Sequence, residues 1–294
     1  KSVKTLSESA FRGSRALQKV TFEERSALES IADYAFGKCV VLKEIIIPKS
    51  VETLSESAFR RCHALQKVTF EDGSALQRIA KYAFEHCEAL KEIIIPKSVK
   101  NLGKGTFVVC SALQKVTFED GSALQSIAES AFKNCVALKE IIIPKSVKTL
   151  SESAFRGCRA LQKVTFEDGS ALRSIARSTF ENCFDLKEII IPKSVTTLGA
   201  WTFCRCEALQ KVTFEDGSAL KSIGHRAFYE CVDLKEIIIP KSVEAFGRQT
   251  FIKCKELQKV TFEDGSALQG IADYAFFGCV DLKEIIIPKS VKTL

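Results

Sequence analysis

Hydrophobic and polar residues alternate in short segments that recur about every 24 residues along the chain. Residues 42–47 read Leu-Lys-Glu-Ile-Ile-Ile, and residues 65–70 read Leu-Gln-Lys-Val-Thr-Phe. The fourth and sixth positions of each segment are apolar and point the same way in an extended chain, which predicts a β-strand. Strands that recur at this spacing cannot pair as hairpins. We therefore predict that they stack in parallel, each on its copy in the next unit.

The repeat is visible in the six prolines, which lie 48 residues apart at positions 48, 96, 144, 192, 240 and 288. Each period divides into units of 23 and 25 residues that share the same apolar positions, and we call each unit a rung. Twelve rungs begin at Leu17, Leu42, Leu65, Leu90, Leu113, Leu138, Leu161, Leu186, Leu209, Leu234, Leu257 and Leu282. Such periodicity predicts a solenoid. We interpret residues 1–294 as one solenoid of six double repeats, and the incomplete first and last rungs lead us to expect an uncapped fragment of a longer array.

Each strand is followed by a turn sequence, either Pro-Lys-Ser or Glu-Asp-Gly-Ser. Residues 55–60 then read Ser-Glu-Ser-Ala-Phe-Arg, and a serine followed by glutamate is typical of a helix N-terminus. The segment is too short for a long helix, so we predict one turn of α- or 3₁₀-helix. The predicted fold class is an α/β repeat solenoid of about 12 rungs, with a parallel sheet on one face and short α or 3₁₀ turns and loops on the other.

Phenylalanine and cysteine each recur at a fixed position in the rung. Eleven of the twelve cysteines follow a phenylalanine by three residues, at positions 39, 62, 87, 110, 135, 158, 183, 206, 231, 254 and 279. We predict that this column is core, where a free cysteine behaves as a small hydrophobe. Rung-to-rung disulfides are the less favoured alternative, and the lack of a Cys-x-x-Cys pattern leaves a metal site unsupported. Cys204 lies off the column, so we predict that it is exposed and is the most reactive thiol.

The combined pattern of residues 138–158 is Leu-x-x-Ile-x-Ile-Pro-x-x-Val-x-x-Leu-small-x-x-Ala-Phe-x-x-Cys. It resembles the BspA-type (Treponema-type) leucine-rich repeat, and the resemblance extends over the whole chain. The resemblance implies a right-handed leucine-rich-repeat solenoid with a parallel β-sheet on one face. It also implies an extracellular or cell-surface location, since members are largely surface proteins of bacteria and parasitic protists that take part in adhesion.

Residues between the inward strand positions form the exposed face of the predicted sheet. Glutamates alternate there with lysines from rung to rung, and isoleucines alternate with threonines. Adjacent strands lie about 4.8 Å apart, so each glutamate lies beside lysines of the neighbouring strands. In one interpretation, this ladder of charges maintains the strand register and the solubility of the protein. In the other, the apolar row receives a partner. The candidate partner-binding residues are Ile46, Thr69, Ile94, Thr117, Ile142, Thr165, Ile190, Thr213, Ile238, Thr261, Glu140 and Lys163.

Composition narrows the possible functions. The chain of 294 residues is 46% hydrophobic and carries a net charge of +7, which is spread along the chain and too weak to indicate nucleic-acid binding. No apolar run reaches the length of a membrane span, so we predict no direct membrane insertion. The three histidines are separated in sequence, and no phosphate-binding loop or acid–base pair is recognisable. We therefore expect no catalytic or metal-binding residues, no cofactor and no enzymatic activity.

We consider two functions. The resemblance to the BspA-type family implies the first, a non-enzymatic adhesion or protein-interaction module that binds a protein or polysaccharide partner through the solenoid surface. The second is a structural rod or spacer formed by end-to-end homo-association. It follows from the matching repeat phase of the two ends, because solenoid ends without polar caps expose core positions and strand edges.

Overall fold

The computed structural model describes residues 3–293. The predicted strands are present and pair in parallel, which confirms a β-solenoid of about twelve turns. Nine of them form one sheet: Lys19–Val20, Glu44–Ile47, Lys67–Phe70, Glu92–Ile95, Lys115–Phe118, Glu140–Ile143, Lys163–Phe166, Glu188–Ile191 and Lys211–Phe214. A three-stranded sheet follows, made of Glu236–Ile239, Lys259–Phe262 and Glu284–Ile285.

The register of these strands places equivalent positions of successive rungs side by side. Ile141 pairs with Val164, and Ile142 pairs with Thr165. Ile141 and Ile143 are buried, whereas Ile142 between them is exposed. The predicted inward and outward alternation is therefore confirmed.

A second parallel sheet of eleven strands accompanies the first. Each strand has two residues: Thr5–Leu6, Ser30–Ile31, Thr53–Leu54, Arg78–Ile79, Asn101–Leu102, Ser126–Ile127, Thr149–Leu150, Ser174–Ile175, Thr197–Leu198, Ser222–Ile223 and Ala245–Phe246. Strands this short do not show a two-residue alternation in sequence, so the pattern did not predict them. They add a second wall to the solenoid, with leucine or isoleucine as the buried residue in most rungs.

The predicted α or 3₁₀ turns are wrong: residues 3–293 contain no helix. In the segment expected to be helical, Ser57 and Arg61 have φ angles of 56° and 59°, in the left-handed region. The amides of Ser57 and Arg61 donate to carbonyls of the next rung, at 3.0 and 2.7 Å, whereas Arg60 donates back to Ser57 at 3.0 Å. Alternate amides thus bond between rungs and within the rung, which produces successive tight turns and no helix.

Phenylalanine forms a continuous stack through the core. Twelve rings from Phe11 to Phe276 follow one another with centroids 5.1–5.5 Å apart and planes 1–13° from parallel. Ten of them, from Phe36 to Phe251, are fully buried. The repeated phenylalanine is therefore a packing element of the core.

The cysteine column lies beside the phenylalanine stack, as predicted. Its thiols are free; ten of the eleven are buried, and Cys279 is half-buried. Each thiol donates to the carbonyl of a phenylalanine in the preceding rung, as Cys158 does to Phe132 at 3.1 Å. Burial raises the pKa of the Cys158 thiol to about 12. The buried thiols of the column are therefore neutral and hydrogen-bonded in the core.

Candidate functional site

The outward side of the long-strand sheet carries the candidate partner-binding residues, and we call it the sheet face. Its isoleucines are 55–57% exposed in five rungs, which is unusual for so regular a set of large apolar side chains. These residues are Ile46, Ile94, Ile142, Ile190 and Ile238. The threonines between them, Thr69, Thr117, Thr165, Thr213 and Thr261, are half-buried. Eight of the ten lie on the nine-stranded sheet, and Ile238 and Thr261 lie on the three-stranded sheet that follows it.

Charged residues flank this row in the predicted register. Glu140 pairs with Lys163 on the adjacent strand, and Lys163 pairs on its other side with Glu188. Within residues 3–293, however, no carboxylate of this column lies within 4.0 Å of a lysine ammonium of the column. The side chains are thus arranged as alternating charges that remain available to solvent or to a partner.

A shallow depression of about 740 Å³ lies over the beginnings of four long strands. Its lining includes Lys163, Lys187, Lys211 and Lys235, together with Glu188 and Glu236. Two glutamines, Gln162 and Gln210, complete the lining with neutral hydrogen-bonding groups. The concave part of the sheet face is therefore predominantly basic.

The turn after each isoleucine strand is fixed by contacts that the sequence pattern did not reveal. The backbone N–H of Lys145 donates to Glu167 Oε2 at 2.9 Å, so the lysine contributes its main chain to this contact. Ser146 donates to the carbonyls of Ser122 and Leu124, with O···O distances of 2.9 and 2.7 Å. The serine of Pro-Lys-Ser recurs in every double repeat, and this recurrence could have indicated a hydrogen-bonding role for its hydroxyl group.

The prediction that Cys204 is exposed is wrong. Cys204 is 2% exposed, and burial raises its thiol pKa to about 12, with Glu181 acting in the same direction. Its position is occupied by Arg60 or Arg156 in other copies. Those long side chains extend to carboxylates, as Arg156 does to Glu181 at 3.0 Å, whereas the short cysteine ends below the surface.

A second concavity lies on the part of each rung that carries the left-handed turns. We call it the outer hollow; its volume is about 360 Å³. It is lined by Lys133, Asn134, Arg156, Gly157, Arg159, Asn182, Phe184 and Arg205. The sequence pattern did not predict this cluster. Its members recur at intervals of 23 to 25 residues, so the repeat places them side by side in successive rungs.

Residues 3–293 contain no group of three or more His, Cys, Asp or Glu side chains placed to hold a metal ion. Nor does this range include a helix long and apolar enough to cross a membrane. His63 and His86, which are separated in sequence, both approach Glu88, at 3.6 and 3.1 Å.

Parallel strands, a phenylalanine stack and short rungs define a leucine-rich-repeat solenoid. The sequence profile described as the BspA type leucine rich repeat region (6 copies) matches residues 1–107, 77–207 and 173–294. The chain therefore belongs to the BspA-type leucine-rich repeat family. Leucine-rich repeat proteins are generally protein-interaction modules.

Two solved structures show the same fold. The pneumococcal vaccine antigen PcpA is 22% identical, with 99% of this chain and 79% of that chain covered and a TM-score of 0.52. A leucine-rich repeat protein from Eubacterium ventriosum ATCC 27560 is also 22% identical, with 90% of this chain and 80% of that chain covered and a TM-score of 0.53. No curated protein sequence matches this chain significantly.

Proposed function

We propose that residues 1–294 form one right-handed, non-enzymatic binding domain at the cell surface, which holds an extended protein or polysaccharide partner on its sheet face. The observation that carries this proposal is the row of five isoleucines exposed to 55–57%. Solvent-exposed apolar rows of this regularity are costly on a surface that only has to be soluble. Burial against a partner gives them a function.

The geometry favours an extended partner. Isoleucine recurs on every second strand, and strands lie about 4.8 Å apart, so the apolar contacts repeat at roughly 9–10 Å. A partner that presents apolar groups along its length can use several of them at once. The lysines of the depression, among them Lys187 and Lys211, favour a partner that also carries carboxylate or other acidic groups.

Replacing Ile142 and Ile190 together by lysine tests the sheet face. Both side chains are exposed, so the double variant should keep its circular dichroism spectrum and unfolding transition. Ligands are first identified by probing arrays of extracellular-matrix proteins and of glycans with the unmodified chain. The double variant should then lose binding to those ligands.

A matched control adds the same two charges elsewhere. Ser126 and Ser174 lie on the two-residue strands, where Arg78 occupies the equivalent position. Their double replacement by lysine should leave binding intact. Equal affinity of the isoleucine variant and this control would move the binding site away from the sheet face.

The second candidate function is end-to-end assembly into a rod. At the two ends of the described chain, Val3 and Ile287 are 63% and 38% exposed. The equivalent residues of interior rungs, Val51 and Ile47, are fully buried, and a second copy in the same repeat phase would cover these positions at the ends. Light scattering over a concentration series, with electron microscopy of the same samples, tests this. Rods that lengthen with concentration would support assembly, and a monomer at every concentration would exclude it.

A further inference from the structure

The sheet face has a further outward column beside the row of isoleucines and threonines. Alternation along a lysine strand places Lys163, Thr165 and Glu167 on the same side; the lysine and the glutamate are exposed, and the threonine is half-buried. On the neighbouring isoleucine strand the position beside Glu167 is Pro144, which is buried. The glutamates of this column therefore recur on every second strand, and no lysine alternates with them there. On the nine-stranded sheet they are Glu71, Glu119, Glu167 and Glu215.

The two sides of the apolar row carry net charges of opposite sign. At the strand starts, the depression described above is lined by four lysines and two glutamates, and we call this the basic side. At the strand ends, each double repeat contributes one lysine, one glutamate and one aspartate, as in Lys145, Glu167 and Asp168, and all three are exposed. We call this the acidic side. A partner that lies along the row therefore meets lysines on one flank and carboxylates on the other, and it binds best with the complementary charges.

The spacing of the isoleucines selects the shape of the partner. On the nine-stranded sheet Ile46, Ile94, Ile142 and Ile190 lie on every second strand, so they recur at about 9.6 Å. A polyproline II helix has about three residues per turn and rises about 3.1 Å per residue, so every third residue faces the same way at about 9.3 Å. An extended strand repeats a face at about 6.7 Å, and an α-helix repeats one after about seven residues, or about 10.5 Å. Over three intervals the polyproline II helix departs from the isoleucines by only about 1 Å, and the α-helix by about 3 Å.

A polyproline II helix also matches the polar groups of the sheet face. Its side chains point in three directions about 120° apart, so when one faces the isoleucines, the next two lie over the basic side and the acidic side. Its backbone carbonyls make no internal hydrogen bonds, and the Thr165 hydroxyl and the exposed Gln162 amide can donate to them. An acidic polysaccharide has carboxylates for the basic side but no cation for the acidic side. The two flanks together therefore favour a polypeptide.

We propose that the sheet face binds a polyproline II segment of a partner protein in which one proline or other apolar residue, one acidic residue and one basic residue recur every three residues. The apolar residue of each turn packs on an isoleucine. The acidic residue faces the lysines of the basic side, and the basic residue faces Glu167 and its equivalents. Reversing the direction of the segment exchanges its two flanks, so either order of the charges can bind. This inference rests on the proposed function, because it specifies the partner of the same sheet face.

Fluorescence anisotropy with labelled, end-blocked peptides tests the proposal at an ionic strength of about 0.15 M. The probe contains five repeats of Pro-Glu-Lys. One control peptide has the same composition in an order that removes the three-residue spacing of proline, and a second contains five repeats of Pro-Glu-Glu. The probe should bind at least about tenfold more tightly than either control. Absence of probe binding, or equal binding of either control peptide, would overturn the proposal.

A variant of the acidic side tests the direction of the charge contacts. Glu167→Gln combined with Glu215→Gln removes two charges, and glutamine keeps an oxygen that can accept from the Lys145 N–H. It should weaken the Pro-Glu-Lys probe by about threefold or more and strengthen Pro-Glu-Glu. The matched control, Glu129→Gln with Glu152→Gln, removes the same charge from exposed positions on the left-handed turns and should leave the affinity for the probe within about twofold. If the control weakens the probe as much as the first variant does, the acidic side makes no contact and the proposal fails.

The double replacement of Ile142 and Ile190 by lysine separates this inference from the proposed function. Circular dichroism and a denaturant midpoint confirm that each variant is folded. Loss of both the probe and the array ligands supports both proposals. If the variant loses the array ligands but the probe does not bind the unmodified chain, the sheet face binds another kind of partner and the polyproline II assignment alone fails; binding of oligogalacturonate in the same assay would then identify an acidic polysaccharide. If the variant binds the probe as well as the unmodified chain does, the peptide site is not on the sheet face and the assignment is overturned.

Discussion

Each phenylalanine of the stack is held between two copies of itself, so its contribution depends on both neighbouring rungs. Phe155 is fully buried, and its ring centroid lies 5.3 Å from that of Phe132 and 5.5 Å from that of Phe180. Phe155→Ala leaves a cavity between the two rings. We expect the free energy of unfolding to fall by roughly 3–5 kcal/mol, measured by urea denaturation.

The half-buried Phe166 at the end of a strand supplies a control of the same chemistry. Phe166→Ala removes the same atoms from a position that is already partly in water, so its cost should be smaller. A loss below about 1 kcal/mol for Phe155→Ala would contradict the central packing of the stack.

The structure favours Cys279, and not Cys204, as the most reactive thiol. Cys279 is half-buried, and the neighbouring Cys254 thiol lowers its pKa below the ordinary 9.0, whereas burial raises the pKa of Cys204 to about 12. Only the thiolate attacks a disulfide reagent. At about pH 8 we therefore expect Cys279 to react first, with a rate that rises with pH until its thiolate is fully formed.

The rate of labelling by a chromogenic disulfide reagent measures this order. Cys279→Ser should remove the fast phase, and Cys204→Ser should leave it unchanged. A fast phase that survives Cys279→Ser and disappears with Cys204→Ser would restore the original assignment.

At the scale of the element, the long strands could be predicted and the other elements could not. Four residues with two inward apolar side chains produce a visible alternation, as in Glu140–Ile143. A two-residue strand such as Thr149–Leu150 has one inward side chain and produces none. The helical turn was wrong because serine and glutamate favour a helix start, whereas the left-handed Ser153 directs its amide to the next rung. The hydrogen bonds between stacked rungs decide the backbone conformation here, and the helix propensity of single residues does not describe them.

The turn after the isoleucine strand depends on one hydroxyl. Ser146 donates to two carbonyls of the preceding rung, at 2.9 and 2.7 Å. Ser146→Ala removes the donor and leaves those carbonyls without it, so we expect a loss of about 1–3 kcal/mol in the free energy of unfolding. Lys145→Ala, in the same turn, should cost little, since its contact with Glu167 is made by the backbone N–H. Equal losses for the two variants would show that the hydroxyl bridge is unimportant.

At the scale of the whole molecule, the sequence predicted the parallel solenoid and the position of the sheet face, because both follow from the repeat itself. The outer hollow does not follow from the repeat, because the residues that share one repeat position in its lining, Asn134, Gly157, Asn182 and Arg205, differ from rung to rung. A residue that differs from its equivalents in other rungs produces no periodic pattern in the sequence. Its structural effect depends on which residues the stacking of rungs places beside it.

The alternation of rung types makes a deletion of 48 residues less harmful than one of 23. Deleting 138–185 joins Ala137 to Leu186 and leaves each lysine strand beside a glutamate strand. Deleting 138–160 joins Ala137 to Leu161 and places Lys163 beside Lys115, and like charges on directly opposite strand positions repel. Thermal unfolding should therefore show a lower midpoint for the shorter deletion, although it removes fewer rungs. Added salt should reduce the difference between the two midpoints, because it screens the repulsion between the lysines. If the longer deletion unfolds at the lower temperature at every salt concentration, rung number outweighs alternation in this solenoid.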